Sequence, residues 1–208
     1  VILIADYGMG NLSSIIKAFE YVGEKISITK DPDMLKKADK IVLPGVGAFQ
    51  TAMENISKNG MDDSIKDEIS KGKPFLGICL GFQLLFSGSE ETRKENDQVT
   101  GKSGMGIVEG RVVRFRDDMG LKVPQIGWNS VYPDSGCSIL NKYAERYFYF
   151  VHSYYPAQTG DDIKGRAYCE YGERFVCAIE KDNILACQFH PEKSGDAGIE
   201  LIRDWSSL

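Results

Sequence analysis

The sequence predicts an α/β fold: a mostly parallel central sheet with helices on both faces, followed by a β-rich C-terminal half. Three observations carry that reading. Short apolar, β-branched runs alternate with helix-period segments through the first 86 residues. The strand-like runs of this half lead into turns carrying Gly or Asp-Pro. From Gly106 onward, strand-like pieces dominate.

Residues 1–5 read as a buried strand ending at Asp6-Tyr-Gly-Met-Gly10. Asn11 is placed to cap a helix whose apolar positions, Leu12, Ile15, Ile16, Phe19 and Val22, keep the 3.6 period until Gly23. Residues 25–29 alternate as a second strand, and Asp31-Pro32 opens a short helix over 34–38. Residues 41–43 form a third strand, broken at Pro44-Gly-Val-Gly47, and helical signals fill 49–69 with a break near Asn59-Gly60. Residues 74–78 are a fourth buried strand, and 80–86 read as a helix. The polar stretch 87–104 is too long for a routine connection, which marks a functional or mobile loop. Further strands are predicted over 108–115, 129–132, 147–155, 165–170, 176–181 and 184–189, closing on the same sheet, with a last helix over 197–205.

Composition bounds what such a chain does. With 208 residues, 42% of them hydrophobic, residues 1–208 are expected to form a single domain around one core. Lys+Arg 25 against Asp+Glu 30 gives a net charge of −5, which argues against a nucleic-acid surface. Residues 75–86, the longest nearly apolar stretch, contain Gln83 and are too short to span a bilayer, and the N-terminus lacks the basic flank of a secretory leader. The five cysteines are unpaired by spacing, with no C-x-x-C, and the chain has only two histidines. No metal site and no cofactor is therefore expected, and a reducing, cytoplasmic setting is.

The sharpest motif is Lys73-Pro-Phe-Leu-Gly-Ile-Cys-Leu-Gly-Phe-Gln83. Its centre, Gly77-Ile-Cys79-Leu-Gly81, has the form of a nucleophile elbow with Cys in place of Ser, between an apolar strand and a helix. A helix N-terminus there favours thiolate over thiol. The bland alternative is an inert buried cysteine. Of the two histidines, His190 lies in Cys187-Gln-Phe-His-Pro-Glu-Lys193, where Glu192 can accept from its ring, whereas His152 has no carboxylate nearby in sequence. Cys79, His190 and Glu192 then read as nucleophile, base and orienter, with His152 in the core or lining the substrate. An acyl-transfer oxyanion needs donors: the Leu80 N–H is one, and Val46 and Gly47 in the glycine-rich turn can supply a second. A rival signal is Gly8-Met-Gly10 with Asp31 downstream, a partial dinucleotide fingerprint in which Ser13 takes the third glycine position.

These residues resemble the class I (triad) glutamine amidotransferases: Cys79 in G-I-C-L-G-F-Q, His190 and Glu192 in Q-F-H-P-E-K-S, and the upstream L-P-G-V-G. The segments beginning at Asp6, Leu43, Gly127 and Tyr149 are similar to the glutaminase subunits of imidazole glycerol phosphate synthase, along nearly the whole chain. The resemblance implies an α/β amidotransferase-like fold and hydrolysis of L-glutamine through a glutamyl thioester on Cys79. It further implies that Gly47, Gln83, Glu91, Ser153 and Tyr154 line the glutamine pocket, with Glu91 meeting the substrate ammonium. Ammonia then passes to a (β/α)₈ cyclase partner that makes imidazole glycerol phosphate and an aminoimidazole carboxamide nucleotide in histidine biosynthesis. Asn11, Trp128 and Lys193 match partner-facing positions. Such subunits are nearly inactive alone, and the glycines of Pro44–Gly47 suit a peptide reorientation driven by the partner.

One departure is Gln125, where this family usually has His. It points to a paralogue feeding a related synthase, such as one amidinating a surface sugar, as the alternative within the family. A cysteine hydrolase or peptidase on the same elbow and a dinucleotide-binding module are the alternatives outside it. Only the amidotransferase readings give roles to Gln83, the Pro44–Gly47 turn and His190-Pro-Glu192 together.

Overall fold

The protein is described here by a computed structural model covering residues 1–91, 103–157 and 159–208, with the backbone alone at 94–95 and 98–99. The front half runs β1 (Ile2–Ala5), α1 (Leu12–Tyr21), β2 (Ile26–Thr29), β3 (Lys40–Leu43), α2 (Phe49–Ser57), α3 (Met61–Ser70), β4 (Phe75–Ile78) and α4 (Leu80–Gln83). The back half opens with β5 (Phe86–Ser89), the short pair β6 (Lys94–Glu95) and β7 (Gln98–Val99), β8 (Val108–Arg114), β9 (Gln125–Ser130) and β10 (Tyr132–Pro133). It closes with β11 (Tyr147–His152), β12 (Tyr154–Ala157), β13 (Gly165–Tyr171), β14 (Glu173–Lys181), β15 (Ile184–Cys187) and α5 (Gly195–Ser206).

The central sheet has the order β10-β13-β14-β15-β4-β3-β1-β2. From β2 to β15 every pairing is parallel, and the outer three are antiparallel. In place of the one core expected there are two, because side chains alternate across a strand and strands covered on both faces divide their residues between them. Ile2, Ile4, Val42, Leu76, Ile78 and Leu185 share one core with α1 and α5, where Phe19 and Trp205 meet edge to face at 5.9 Å. Leu3, Ala5, Ile41, Leu43, Phe75 and Ala186 share the other with Phe49, Ile56 and Ile65 of α2 and α3. The predicted α/β class and the mostly parallel sheet hold. No helix among the described residues is long and apolar enough to cross a membrane.

The back half closes on the central sheet only in part. β10, β13, β14 and β15 join it, but β12-β8-β5 form a separate sheet and β9–β11 a two-stranded ribbon. The helix predicted over 80–86 is a single turn, because the chain 105–107 returns alongside it: Met105 and Ile107 N–H groups donate to the carbonyls of Leu84 and Leu85 at 2.8 and 2.9 Å. Phe86 then starts β5, a short apolar run being ambiguous between buried helix and strand. The predicted strand 147–155 breaks at Ser153, where pairing changes from β9 to β8. The strand expected at 129–132 begins at Gln125 and ends at Ser130, before the fully buried Val131, beyond which β10 pairs with β13. The strand predicted over 184–189 leaves the ladder after Cys187. The short helix after Asp31 is a 3₁₀ turn over Pro32–Lys37, and the Asp31 carboxylate accepts from the Asp33 N–H at 2.9 Å. Asn11 occupies the cap position of α1 without a side-chain bond to a backbone N–H of the helix; it accepts from the Ser13 hydroxyl at 3.1 Å instead. Within the predicted loop 87–104, residues 92–93, 96–97 and 100–102 lie outside the described residues.

Candidate active site

In an open parallel sheet the C-terminal strand ends open onto one crevice. Here β3, β4 and β15 deliver Val46 and Gly47, Cys79 and Leu80, and His190 to a cavity of about 270 Å³. Gln83, Glu91, Val151, His152, Ser153 and Tyr154 complete its lining. Every pocket residue expected from the sequence is thus brought to one place.

Cys79 sits at the sharp strand-to-helix turn with φ 55° and ψ −109°, a conformation that costs a non-glycine residue free energy and persists only when its surroundings impose it. They do. Its N–H donates to the Cys187 carbonyl at 2.8 Å, and Gly81 lets the elbow press against β3, since a Cβ there would lie 1.9 Å from the Leu43 carbonyl oxygen. The elbow helix is only four residues long, so its macrodipole is small, and the expected help to a thiolate comes less from the helix than from side chains. The other four cysteines are buried, and burial raises their thiol pKa, to about 12 for Cys137 and Cys169.

His190 Nδ1 lies 2.8 Å from Glu192 Oε1, with both side chains almost wholly buried. That bond leaves Nε2, buried with no hydrogen-bond partner, as the nitrogen available for proton transfer. Burial disfavours the His190 cation, but the Cys79 thiolate and then Glu192 outweigh it and push the imidazole up to about 10. His152 is the opposite case. Burial, helped by the His190 charge and opposed by the Tyr154 carbonyl, pulls it down to about 4. Its Nδ1 lies 2.8 Å from the Tyr154 carbonyl and its Nε2 2.7 Å from Gln125 Oε1. A neutral ring carries one N–H and the carbonyl only accepts, so Nδ1 is the donor, and a half-turn of the Gln125 carboxamide, matched by one of the Asn129 carboxamide that now accepts from it at 2.8 Å, satisfies Nε2. Gln125, the departure from the family pattern, is therefore a fully buried partner of His152, outside the Cys79–His190–Glu192 group.

Three expected roles are qualified by the geometry. The Leu80 N–H is occupied, donating to the Gly45 carbonyl at 3.3 Å. Glu91 Oε2 accepts from the Phe49 N–H at the start of α2 at 2.9 Å, and burial raises its pKa against that bond. Gln83 spends its amide nitrogen on the Tyr154 carbonyl and on Gln188 Oε1, both at 2.9 Å. Gln188 is the residue that sequence reasoning missed: fully buried, with Nε2 3.6 Å from Cys79 Sγ. Its signal was its place two residues before His190, where a lone Gln interrupts an apolar strand end.

The ribbon β9–β11 borders the cavity. Ile126 pairs with Val151, Trp128 with Tyr149 and Ser130 with Tyr147, so these side chains share one face. Ile126, Trp128 and Tyr147 are 63%, 51% and 60% exposed, and Val151 lines the cavity. Trp128 therefore does not pack into the core. Asn11 and Lys193 are also exposed.

Residues 3–206 match the family model of glutamine amidotransferase class-I. The imidazole glycerol phosphate synthase subunit HisH of Methanothermobacter thermautotrophicus is 44% identical over 208 residues, covering 100% of this chain and 98% of its own. That of Chlorobaculum tepidum is 42% identical, with 100% of both chains covered. The chloroplastic imidazole glycerol phosphate synthase hisHF of Arabidopsis thaliana is 42% identical over 98% of this chain but only 33% of its own. A solved glutamine amidotransferase superposes with a TM-score of 0.70 at 16% identity over 100% of both chains, and PurLQS of Thermotoga maritima with 0.69 at 16% over 98% and 95%, likenesses of fold alone. Elbow, cavity and near-complete alignment agree: this chain belongs to the class-I glutamine amidotransferases, in the branch of the imidazole glycerol phosphate synthase HisH subunits.

Proposed function

We propose that this chain is the glutaminase subunit of imidazole glycerol phosphate synthase, hydrolysing L-glutamine to glutamate and ammonia with Cys79 as nucleophile. The observation that carries the reading is the convergence of the strained Cys79 and the Glu192-held His190 on one cavity. The Cys79 thiolate attacks the side-chain amide carbon of glutamine. His190, protonated at Nε2, gives its proton to the departing nitrogen, so ammonia leaves and a glutamyl thioester remains. The neutral imidazole then takes a proton from water, which attacks the thioester and releases glutamate and the thiolate. Glu192 fixes the ring and stabilises its cation throughout. Gly47, Gln83, Glu91, Ser153 and Tyr154 hold the substrate, Glu91 as a carboxylate anchored to α2 and facing the glutamine ammonium.

The relatives are named as subunits, and this chain fits that role. The ammonia acceptor is a (β/α)₈ cyclase bound through Trp128, Asn11 and Lys193. An exposed aromatic face continuous with the cavity supports this, since docking there would seal ammonia from solvent. The Leu80 N–H, closed by Gly45, accounts for low activity without the partner: turning that peptide frees Leu80 and brings a Val46 or Gly47 N–H to the oxyanion. Gly47, at φ +101°, has the freedom the turn needs. The test is glutamate release with and without the cyclase and its nucleotide ligand. Stimulated release that Cys79→Ala abolishes supports the assignment; release by the alanine variant rejects it.

A further inference from the structure

We propose that the Gln188 carboxamide holds and stabilises the Cys79 thiolate, as the last member of a buried hydrogen-bond chain anchored on the Tyr154 carbonyl. The inference rests on Cys79 being the nucleophile. Gln188 follows the last residue of β15, is fully buried, and has its N–H bonded to the Cys177 carbonyl at 2.7 Å. A carboxamide in such surroundings is costly unless paired. Its pairing is directional. The Tyr154 carbonyl only accepts, so Gln83 must present its NH₂ there, at 2.9 Å. The same nitrogen meets Gln188 at 2.9 Å, which must therefore be the oxygen end. The NH₂ of Gln188 is then the end that faces Cys79 Sγ, at 3.6 Å. The orientation follows from the network rather than from choosing between two look-alike atoms.

A donor aimed at sulfur favours the thiolate, because a thiol is a weak acceptor. The titratable groups around Cys79 are His190 with Glu192 behind it, Tyr7, and Cys187. Tyr7 and Cys187 offer no cation: burial first opposes the ionisation of both, followed by the Cys79 charge at Tyr7 and by the Glu192 and then the Cys79 charge at Cys187. Among the described side chains, Gln188 and His190 are thus the stabilising neighbours. The three links come from α4, β12 and the segment after β15, so the donor is fixed by tertiary structure. Gln83 gains a second role, orienting Gln188.

The test follows alkylation of Cys79 by iodoacetamide against pH, with the modified peptide assigned by mass, in wild type, Gln188→Met and the isosteric Gln188→Glu. A hydrogen bond to a charged group sets the scale, so the apparent thiol pKa should rise by about one to two, slowing alkylation at mildly acidic pH roughly ten- to a hundredfold. Turnover in the complex should fall in kcat with KM little changed. Titrations within about 0.3 of wild type in both variants overturn the inference. Should neither variant fold, the wild-type protein decides. The Gln188 side-chain amide resonance should move with the same midpoint as Cys79 alkylation, and a resonance flat through that midpoint overturns the proposal. Turnover retained by Cys79→Ser overturns the nucleophile assignment itself; a dead Cys79→Ser with an unmoved Gln188→Met titration overturns only the role of Gln188.

Discussion

Acid should destabilise this protein through His152, and the size of the effect can be worked from its surroundings. His152 is buried with its ring neutral, its pKa pulled from 6.5 to about 4. The unfolded chain takes up a proton below 6.5 and the folded chain declines it until about 4. The stabilisation is therefore fully present above 6.5 and is lost progressively as pH falls toward 4. Each pH unit of that window is worth about 1.4 kcal/mol, so the loss amounts to roughly 3 kcal/mol. His190 has the opposite sign: with its pKa raised to about 10, its contribution is present below its unfolded value and lost as pH rises through 10. Below about pH 5.5 it is protonated in both states and adds almost no slope. Urea unfolding at a series of pH values between 7 and 4 reads the effect, with His152→Gln as the comparison. Wild type should lose stability with a slope approaching one proton near the middle of the window, around pH 5, and the variant should lose this component. Equal slopes for the two proteins would exclude His152 as the source of the acid sensitivity.

Two further outcomes are expected. Gly81→Ala forces a Cβ to 1.9 Å from the Leu43 carbonyl oxygen and should cost about 3 kcal/mol or more by thermal unfolding, whereas Gly88→Ala, with nothing within 4 Å, should be nearly neutral. Trp128→Ala removes an exposed aromatic anchor and should weaken binding of the cyclase by about 30-fold in calorimetry, leaving Cys79 alkylation in the isolated chain unchanged.

The front half was legible because its strands are short, continuous apolar runs and its helices amphipathic, and each chemistry-bearing turn follows such a strand. Cys79, His190 and Glu192 were legible for the same reason: elbow and H-x-E have meaning only at strand ends, and those ends are marked. What stayed hidden depends on contacts distant in sequence. The elbow helix stops after one turn because residues 105–107 take its neighbours' carbonyls, and no local pattern at 80–86 records that. The division of 147–155 at Ser153 is likewise set by which strand lies alongside. Gln188 has no motif of its own. Its role emerges only when Gln83 and Tyr154, 105 and 34 residues away in sequence, are brought beside it. The fold also showed that Leu80, named as an oxyanion donor from the elbow alone, is occupied by a carbonyl from the neighbouring turn.

The central claim is that Cys79 becomes the glutamyl carrier and His190 discharges it. Its most direct test is acid quenching of the complex during turnover with glutamine, followed by mass measurement of the cysteine-bearing peptides. A glutamyl adduct should appear on the Cys79 peptide alone, be absent in Cys79→Ala, and persist longer when His190 is replaced. An adduct on any of the other four cysteines, or steady glutamate release from Cys79→Ala, would contradict the account.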